Sequence, residues 1–287
     1  DVRRCNYPSD IGLTVAKGVW GIMHLQADPS DINAIGEAYR AGNEAYESGT
    51  AKADIEAINK ALYAGDNEQY NQLREQGVAT SKQQLDTLLG VLGTQPFDTE
   101  ITESMVSAPG LALVREHIGP VFEESDGAVV YKGEQDGLHT RVFINSQGLP
   151  TYEAKDIGHH KLKTDTHPGW TQSIIVTGQE QREYFKVIFA ALRKIFPDCT
   201  TKRLEHIATG FLTLTTGKMS SRKGNVLTGE SLLNEVVAEA TARISEDTLD
   251  DNPRLAQQVA VAAIKYQILK QSVGSDIVFD KASALSF

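Results

Sequence analysis

Cysteine is scarce in this sequence. Its two copies among 287 residues, Cys5 and Cys199, stand far apart. That spacing excludes a disulfide framework and the common zinc arrangements. We expect each to be a small buried side chain, in a reducing compartment such as the cytoplasm. Long apolar runs are missing too. None approaches the ~18 residues a membrane helix needs, and the opening stretch DVRRCNYPSDIG has no apolar centre of a signal peptide. The chain does not begin with Met, so we expect further sequence upstream. Positive charge is in deficit, with 28 Lys and Arg against 38 Asp and Glu, a net charge of -10. That balance argues against wrapping nucleic acid over most of the surface but permits a local basic contact. Hydrophobic residues make up 40% of the chain, enough for one large domain or one and a half.

Three textures follow one another. Residues 1–25 are short and mixed, with NYPSDIG reading as a strand end and turn. Residues 29–118 are rich in Ala, Glu, Gln and Asn. There Ile32, Ile35, Tyr39 and Tyr46, then Ile55, Ile58 and Leu62, then Leu85, Leu88 and Leu89 recur at helical spacing. This predicts three or four amphipathic helices, the first capped from DPSD, forming an insertion rather than part of a sheet. Residues 126–228 alternate. GAVVYKG, TRVFINSQG and SIIVTG are β-branched runs bounded by turn residues and read as strands. REYFKVIFAALRKIF reads as a helix, with Tyr184, Val187, Ile188, Ala191, Leu192 and Ile195 on one side. Alternation of this kind implies an α/β fold, a mainly parallel sheet with helices on its faces. Two further amphipathic helices, GESLLNEVVAEATARI and NPRLAQQVAVAAIKYQILKQ, flank DDNP, a candidate domain boundary.

An acidic chain that concentrates cations in TTGKMSSRKGNVLTG, residues 215–229, invites a polyphosphate. Gly217 and Gly224 let backbone amides approach a ligand, and Lys218, Arg222 and Lys223 offer mobile charge to a leaving pyrophosphate. A solvated basic turn accounts for the composition equally well. The order of residues is more specific. KMSSRKGN resembles the KMSKS signature of class I aminoacyl-tRNA synthetases, in the form common among arginyl-tRNA synthetases. The resemblance implies a Rossmann-like catalytic domain of that class. It implies catalytic roles for Lys218, Ser220 and Lys223, and ATP contacts from Lys218, Met219, Ser220, Ser221, Arg222 and Lys223. Ser221 replaces the second lysine of the general signature, whose charge Lys223 or Arg222 would supply.

In GLPTYEAKDIG, Gly148 and Pro150 make a turn and a helix starts near Thr151. Tyr152 and Asp156 then share one helix face, a phenol and a carboxylate suited to a guanidinium or ammonium ligand. The pattern PTYxxxDIG resembles the arginyl enzymes' substrate-binding Tyr and Asp. It implies that Tyr152 and Asp156 bind arginine, with Glu153 facing away. In IIVTGQEQREYF a strand ends and a helix begins, a crevice position in α/β folds. The resemblance puts Gln181 on arginine, with Gln179 as the alternative. His206 in LEHIATGFL, at the start of a strand leading into the cationic loop, matches a histidine beside the family's adenosine site, although a lone histidine is more often packing or surface. NYPSDIG is similar to the family's NYxGDxG through Asn6, Tyr7, Asp10 and Gly12, with Ser9 replacing a glycine, and is expected to line the crevice. His159, His160 and His167 lack metal spacing and read as solvated.

The implied reaction is ATP-dependent activation of L-arginine to arginyl-adenylate and transfer to tRNA(Arg), with Mg²⁺ arriving with ATP and no metal held by the protein. The family's HIGH motif is not in the sequence, as neither His24 nor His206 stands in such a context. The resemblance therefore implies an internal fragment, inactive by itself. It implies a catalytic domain over 1–250, with the helical insertion at 29–118, and the beginning of an α-helical anticodon-binding domain over 251–287, where FDKASALSF is similar to FDxxxxLSF. A monomeric cytoplasmic protein is expected. The rival readings are a class I synthetase of another specificity and a non-catalytic paralogue that binds nucleotide or tRNA.

Overall fold

Helix-forming stretches dominate the chain, and two pairs of helices cross closely at glycines. The computed structural model describes residues 1–214, 228–245, 248, 252 and 254–280. They fall into two compact units. One is built from Asp1–Thr171 and Lys186–Arg203, the other from Gln172–Phe185 and Leu204–Phe287. Among the described residues no helix is long and apolar enough to cross a membrane.

In the first unit, strand β1 (Cys5–Asn6) leads through the NYPSDIG turn into helix α1 (Leu13–Leu25). The sequence reading did not foresee α1. Helices α2 (Ile32–Glu47), α3 (Lys52–Ala64) and α4 (Glu68–Val91) follow where the spacing read as helical, although the stretch 29–118 also holds the strand Thr99–Glu100, which pairs with Cys5–Asn6. Asp31, from DPSD, caps α2 by accepting from the Asn33 amide at 2.9 Å. Ile55, Ile58 and Leu62 of α3 pack with Ile11, Ala16 and Val19. In α2, however, the most buried residues are Ala38 and Gly42 rather than the isoleucines and tyrosines. The reason is a close crossing with α1: a methyl at Gly42 would lie 2.0 Å from the Lys17 carbonyl, and one at Gly21 would lie 1.9 Å from the Ala38 carbonyl. None of the α4 residues is fully buried.

Strand β2 (Thr99–Glu100) pairs with β1 in parallel, and helix α5 (Glu103–Glu116) follows. Strands β3 (Glu123–Ser125), β4 (Ala128–Tyr131) and β5 (Arg141–Ile144) make an antiparallel meander. The strands expected at GAVVYKG and TRVFINSQG therefore exist, but outside any parallel sheet. Phe122, Tyr131 and Phe143 fill this corner, with ring centres 4.7–6.3 Å apart. Helix α6 (Tyr152–Thr166) then packs on α5. Glycines set that approach as well. A methyl on Gly110 would lie 2.0 Å from the Ala154 carbonyl, and one on Gly158 would lie 2.2 Å from the Val106 carbonyl.

The second unit holds β6 (Gln172–Gly178) paired with β7 (Arg203–Thr209). It also holds β8 (Leu212–Leu214) paired in parallel with β9 (Ile277–Phe279). Helix α7 (Arg182–Ile195), which belongs to the first unit from Lys186 on, buries Val187, Ile188, Ala191 and Leu192, on the side its spacing predicted. Helices α8 (Gly229–Thr241) and α9 (Leu255–Leu269) pack together. The fold is thus mixed α/β with parallel pairings, as expected, and His206 lies in the middle of β7 rather than at a strand start.

One expectation fails outright. His159 and His160 are buried, at 8% and 5% exposure, and not solvated, while His167 is half-buried. The inward face of α6 carries both rings. His159 stacks flat on Tyr7 at 4.1 Å, and His160 Nε2 lies 3.1 Å from the buried Cys199 thiol. Burial, with Lys163 nearby, lowers their pKa values from 6.5 to about 3 and about 4.

Two tests follow from this packing. Gly158→Ala should cost about 1–3 kcal/mol, because the methyl meets backbone. Gly36→Ala, where nothing lies within 4 Å, should stabilise α2 by about 0.5–1 kcal/mol. Urea midpoints measure both. The histidines give the second test. Between pH 6.5 and their folded values the unfolded chain binds more protons than the folded one. Stability therefore falls as pH drops through that window, by at most about 1.4 kcal/mol per pH unit for each ring. Urea unfolding at about pH 7.5 and about pH 5 should show this loss well above the carboxylate range.

Candidate functional site

The turn before α6 is built from its own residues. Asn145 Oδ1 accepts from the amides of Gln147 and Leu149, both at 3.0 Å, and Gly148 takes φ +78, which glycine adopts without strain. The Thr151 hydroxyl donates to the Val142 carbonyl at 2.7 Å, tying the helix start to β5. Tyr152 is then the first residue of α6, 59% exposed. Asp156 sits one turn later, half-buried. Its negative charge raises the pKa of Tyr7, second to burial, and also bears on Lys163. Burial lowers the Lys163 pKa, and the neighbouring Cys5 and Asp156 oppose that. Glu153 is buried and pairs with Arg141 at 3.2 Å.

Beneath this turn lies a charged cluster that sequence reasoning missed. Lys155 is 3% exposed, and its ammonium pairs with the buried carboxylate of Glu103 at the start of α5. The Lys155 ammonium is 5.1 Å from the Tyr152 ring centre and 5.5 Å from that of Tyr63. Burial works against its charge, but Tyr63 and Glu103 outweigh that and its pKa rises. Burial likewise raises the Tyr63 phenol, with Lys155 opposing. Lys155 lies three residues after Tyr152 on the same helix face, and that spacing was the available signal.

The NYPSDIG residues converge on the same helices. Asp10 accepts from the Ser104 amide at 2.8 Å and from its hydroxyl at 2.6 Å, capping α5. Arg74 of α4 lies 3.6 Å from the same carboxylate. Asn6 donates to Glu100 at 3.2 Å. Gly12 takes φ +119, and a methyl there would come within 3.3 Å of the Lys155 ammonium. The stretch thus braces the feet of α5 and α6.

In the second unit, Gln179 and Gln181 form a single 3₁₀ turn after β6, both half-buried. The Gln179 amide donates to Asp276 Oδ1 at 2.8 Å, and the Phe211 amide donates to the same oxygen at 2.8 Å. Gln179 is therefore already engaged within the unit. His206 Nε2 lies 2.7 Å from the Thr177 hydroxyl, and its ring is 4.5 Å from that of Phe185. Burial, then Arg182, lowers its pKa, so the neutral ring is favoured. Lys218, Met219, Ser220, Ser221, Arg222 and Lys223 lie outside the described residues. Among those described, no group of three or more His, Cys, Asp or Glu is placed to hold a metal ion.

Comparison with known proteins gives a consistent answer. A family model described as class I tRNA synthetases (R), catalytic domain, matches residues 1–281. An arginine–tRNA ligase from Borrelia garinii subsp. bavariensis is 31% identical over 202 residues, covering 67% of this chain and 34% of that protein. One from Treponema denticola is 28% identical over 304 residues, covering 100% of this chain and 51% of that protein. The chain thus spans between a third and a half of these relatives' length. Among solved structures, arginyl-tRNA synthetase from Thermus thermophilus superimposes with a TM-score of 0.73 at 23% identity, over 100% of this chain and 54% of that one. The Plasmodium falciparum enzyme gives 0.72 at 20% identity, over 99% and 48%. These two establish likeness of fold.

Proposed function

The chain belongs to the family of class I arginyl-tRNA synthetase catalytic domains, and from that membership we propose that it serves the ATP-dependent charging of tRNA with arginine. The observation that carries the reading is the first turn of α6, where an exposed phenol and a half-buried carboxylate stand one turn apart. Asp156 pairs with the cationic end of arginine or its amino group, and the Tyr152 ring lies against its side chain. Gln181 supplies the amide contact, since Gln179 is held by Asp276. His206, neutral and half-buried, sits beside the adenosine. The cationic stretch of residues 218–223 holds the phosphates.

The chemistry needs little from side chains beyond placement. A carboxylate oxygen of arginine attacks the α-phosphorus of ATP, and the bond to the bridging oxygen breaks, releasing pyrophosphate. The tRNA 3′-terminal hydroxyl then attacks the arginyl carbonyl and AMP leaves. Lys218, Ser220 and Lys223 steady charge as it moves to pyrophosphate, so catalysis is positioning and charge stabilisation. Mg²⁺ enters with ATP. A carboxylate left unpaired by an apolar amino acid makes selection for arginine strong. L-arginine and tRNA(Arg) are the partners, for a monomer in the cytoplasm, with 251–287 beginning the anticodon-binding part.

Asp156→Asn in the full-length protein should weaken arginine binding by about 1.5–3 kcal/mol, the scale of a charge-assisted hydrogen bond. Calorimetry measures it, and unchanged affinity refutes the assignment. A thermal melt in which cysteine or glutamine raises the midpoint while arginine does nothing would favour another specificity.

A further inference from the structure

The helical segment over α2–α4 has no part in the reading so far, yet one of its side chains reaches the recognition helix. We propose that Tyr63 of α3, acting through Lys155, is a positioning residue that sets the ring of Tyr152 and thereby the affinity for the cationic substrate. The substrate half of this rests on the arginine reading above, while the positioning half does not.

The geometry is a stack of dependencies. Tyr152 is the first residue of α6 and 59% exposed, so packing alone holds its ring weakly. The Lys155 ammonium lies over its face, 5.1 Å from the ring centre, within range of a cation–π attraction. That ammonium is paired with the Glu103 carboxylate of α5 and flanked by Tyr63 of α3, whose ring centre lies 5.5 Å away and whose hydroxyl borders the same space beside Gly12. Gly12 completes the enclosure, because any side chain there would press on the ammonium and on the Tyr63 hydroxyl, 3.7 Å from a methyl at that position. The ring of Tyr63 is anchored separately, against the apolar core of Ile55, Ile58 and Leu62. Tyr63 is thus fixed by the helical segment at one end and fixes Lys155 at the other. Losing its hydroxyl leaves Glu103 as the stronger pull, moves the cation, and releases Tyr152.

Lys155→Met is a poor test, since it strands Glu103 without its partner in the interior. Tyr63→Phe keeps the ring and deletes only the hydroxyl. In the full-length protein labelled with fluorotyrosine, the Tyr152 ¹⁹F line, assigned with Tyr152→Phe, should shift in Tyr63→Phe without any ligand. The arginine dissociation constant by calorimetry should rise about three- to tenfold, the factor carried by one net hydrogen bond, with the melting midpoint nearly unchanged. Lys155→Arg, which keeps a cation, should hold the Tyr152 line closer to its original place than Tyr63→Phe does. An unmoved Tyr152 line overturns the proposal, as does a moved line with unchanged arginine affinity. If the line moves but the unsubstituted protein binds no arginine, the positioning stands and the arginine reading falls.

Discussion

A lysine ammonium withdrawn from water needs a carboxylate at contact distance, and a buried pair of this kind is far costlier to break than to replace as a whole. The Lys155–Glu103 pair therefore constrains everything around it. The two residues sit on different helices, and they meet only because α5 and α6 cross where Gly110 and Gly158 let backbone touch backbone. The same pair lies beneath the exposed Tyr152 at the start of α6, with Tyr63 of α3 beside it. Asp10 holds the start of α5 from the opposite side. The start of α6 thus rests on a foundation gathered from the turn after β1, α3, α5 and α6.

Much of this was legible in the sequence because the signals were local. Gly148 and Pro150 announced the start of α6, and Asp31 the start of α2. The spacing of Val187, Ile188, Ala191 and Leu192 gave the buried side of α7. Motif order alone identified the family. What escaped depended on distant partners. The β-branched runs at 128–131 and 141–144 look alike whether their neighbours run parallel or antiparallel, so the meander could not be told from a parallel sheet. Helix α1 was missed although Ala16, Val19 and Ile22 line its buried face, because Lys17 and Gly21, buried between them at the crossing with α2, interrupt the apolar pattern. His159 and His160 lie among lysines and read as surface, although the helix turns them toward Tyr7 and Cys199. Lys155 was passed over because its carboxylate lies 52 positions earlier in the chain.

In the second unit a single exposed carboxylate joins three segments. Asp276 receives both the Gln179 side chain and the Phe211 amide, so the turn after β6 and the first step of β8 share one acceptor. Gly210 lies against the Ser275 carbonyl, where a methyl would sit at 1.9 Å. The turn after β6 and the start of β8 are therefore registered through the same short turn, 272–276.

Strand β8 finds its parallel partner only at Ile277–Phe279, after α8 and α9 have been threaded. During synthesis the chain emerges from its amino terminus onward and domains organise as they appear. The helices of residues 13–91 can assemble on a ribosome long before residue 214 has anything to pair with. Strand β8 is thus among the last pieces to be secured, and a ribosome that stalls short of residue 279 holds a nascent chain whose helices over 13–91 are formed while β8 still lacks its partner.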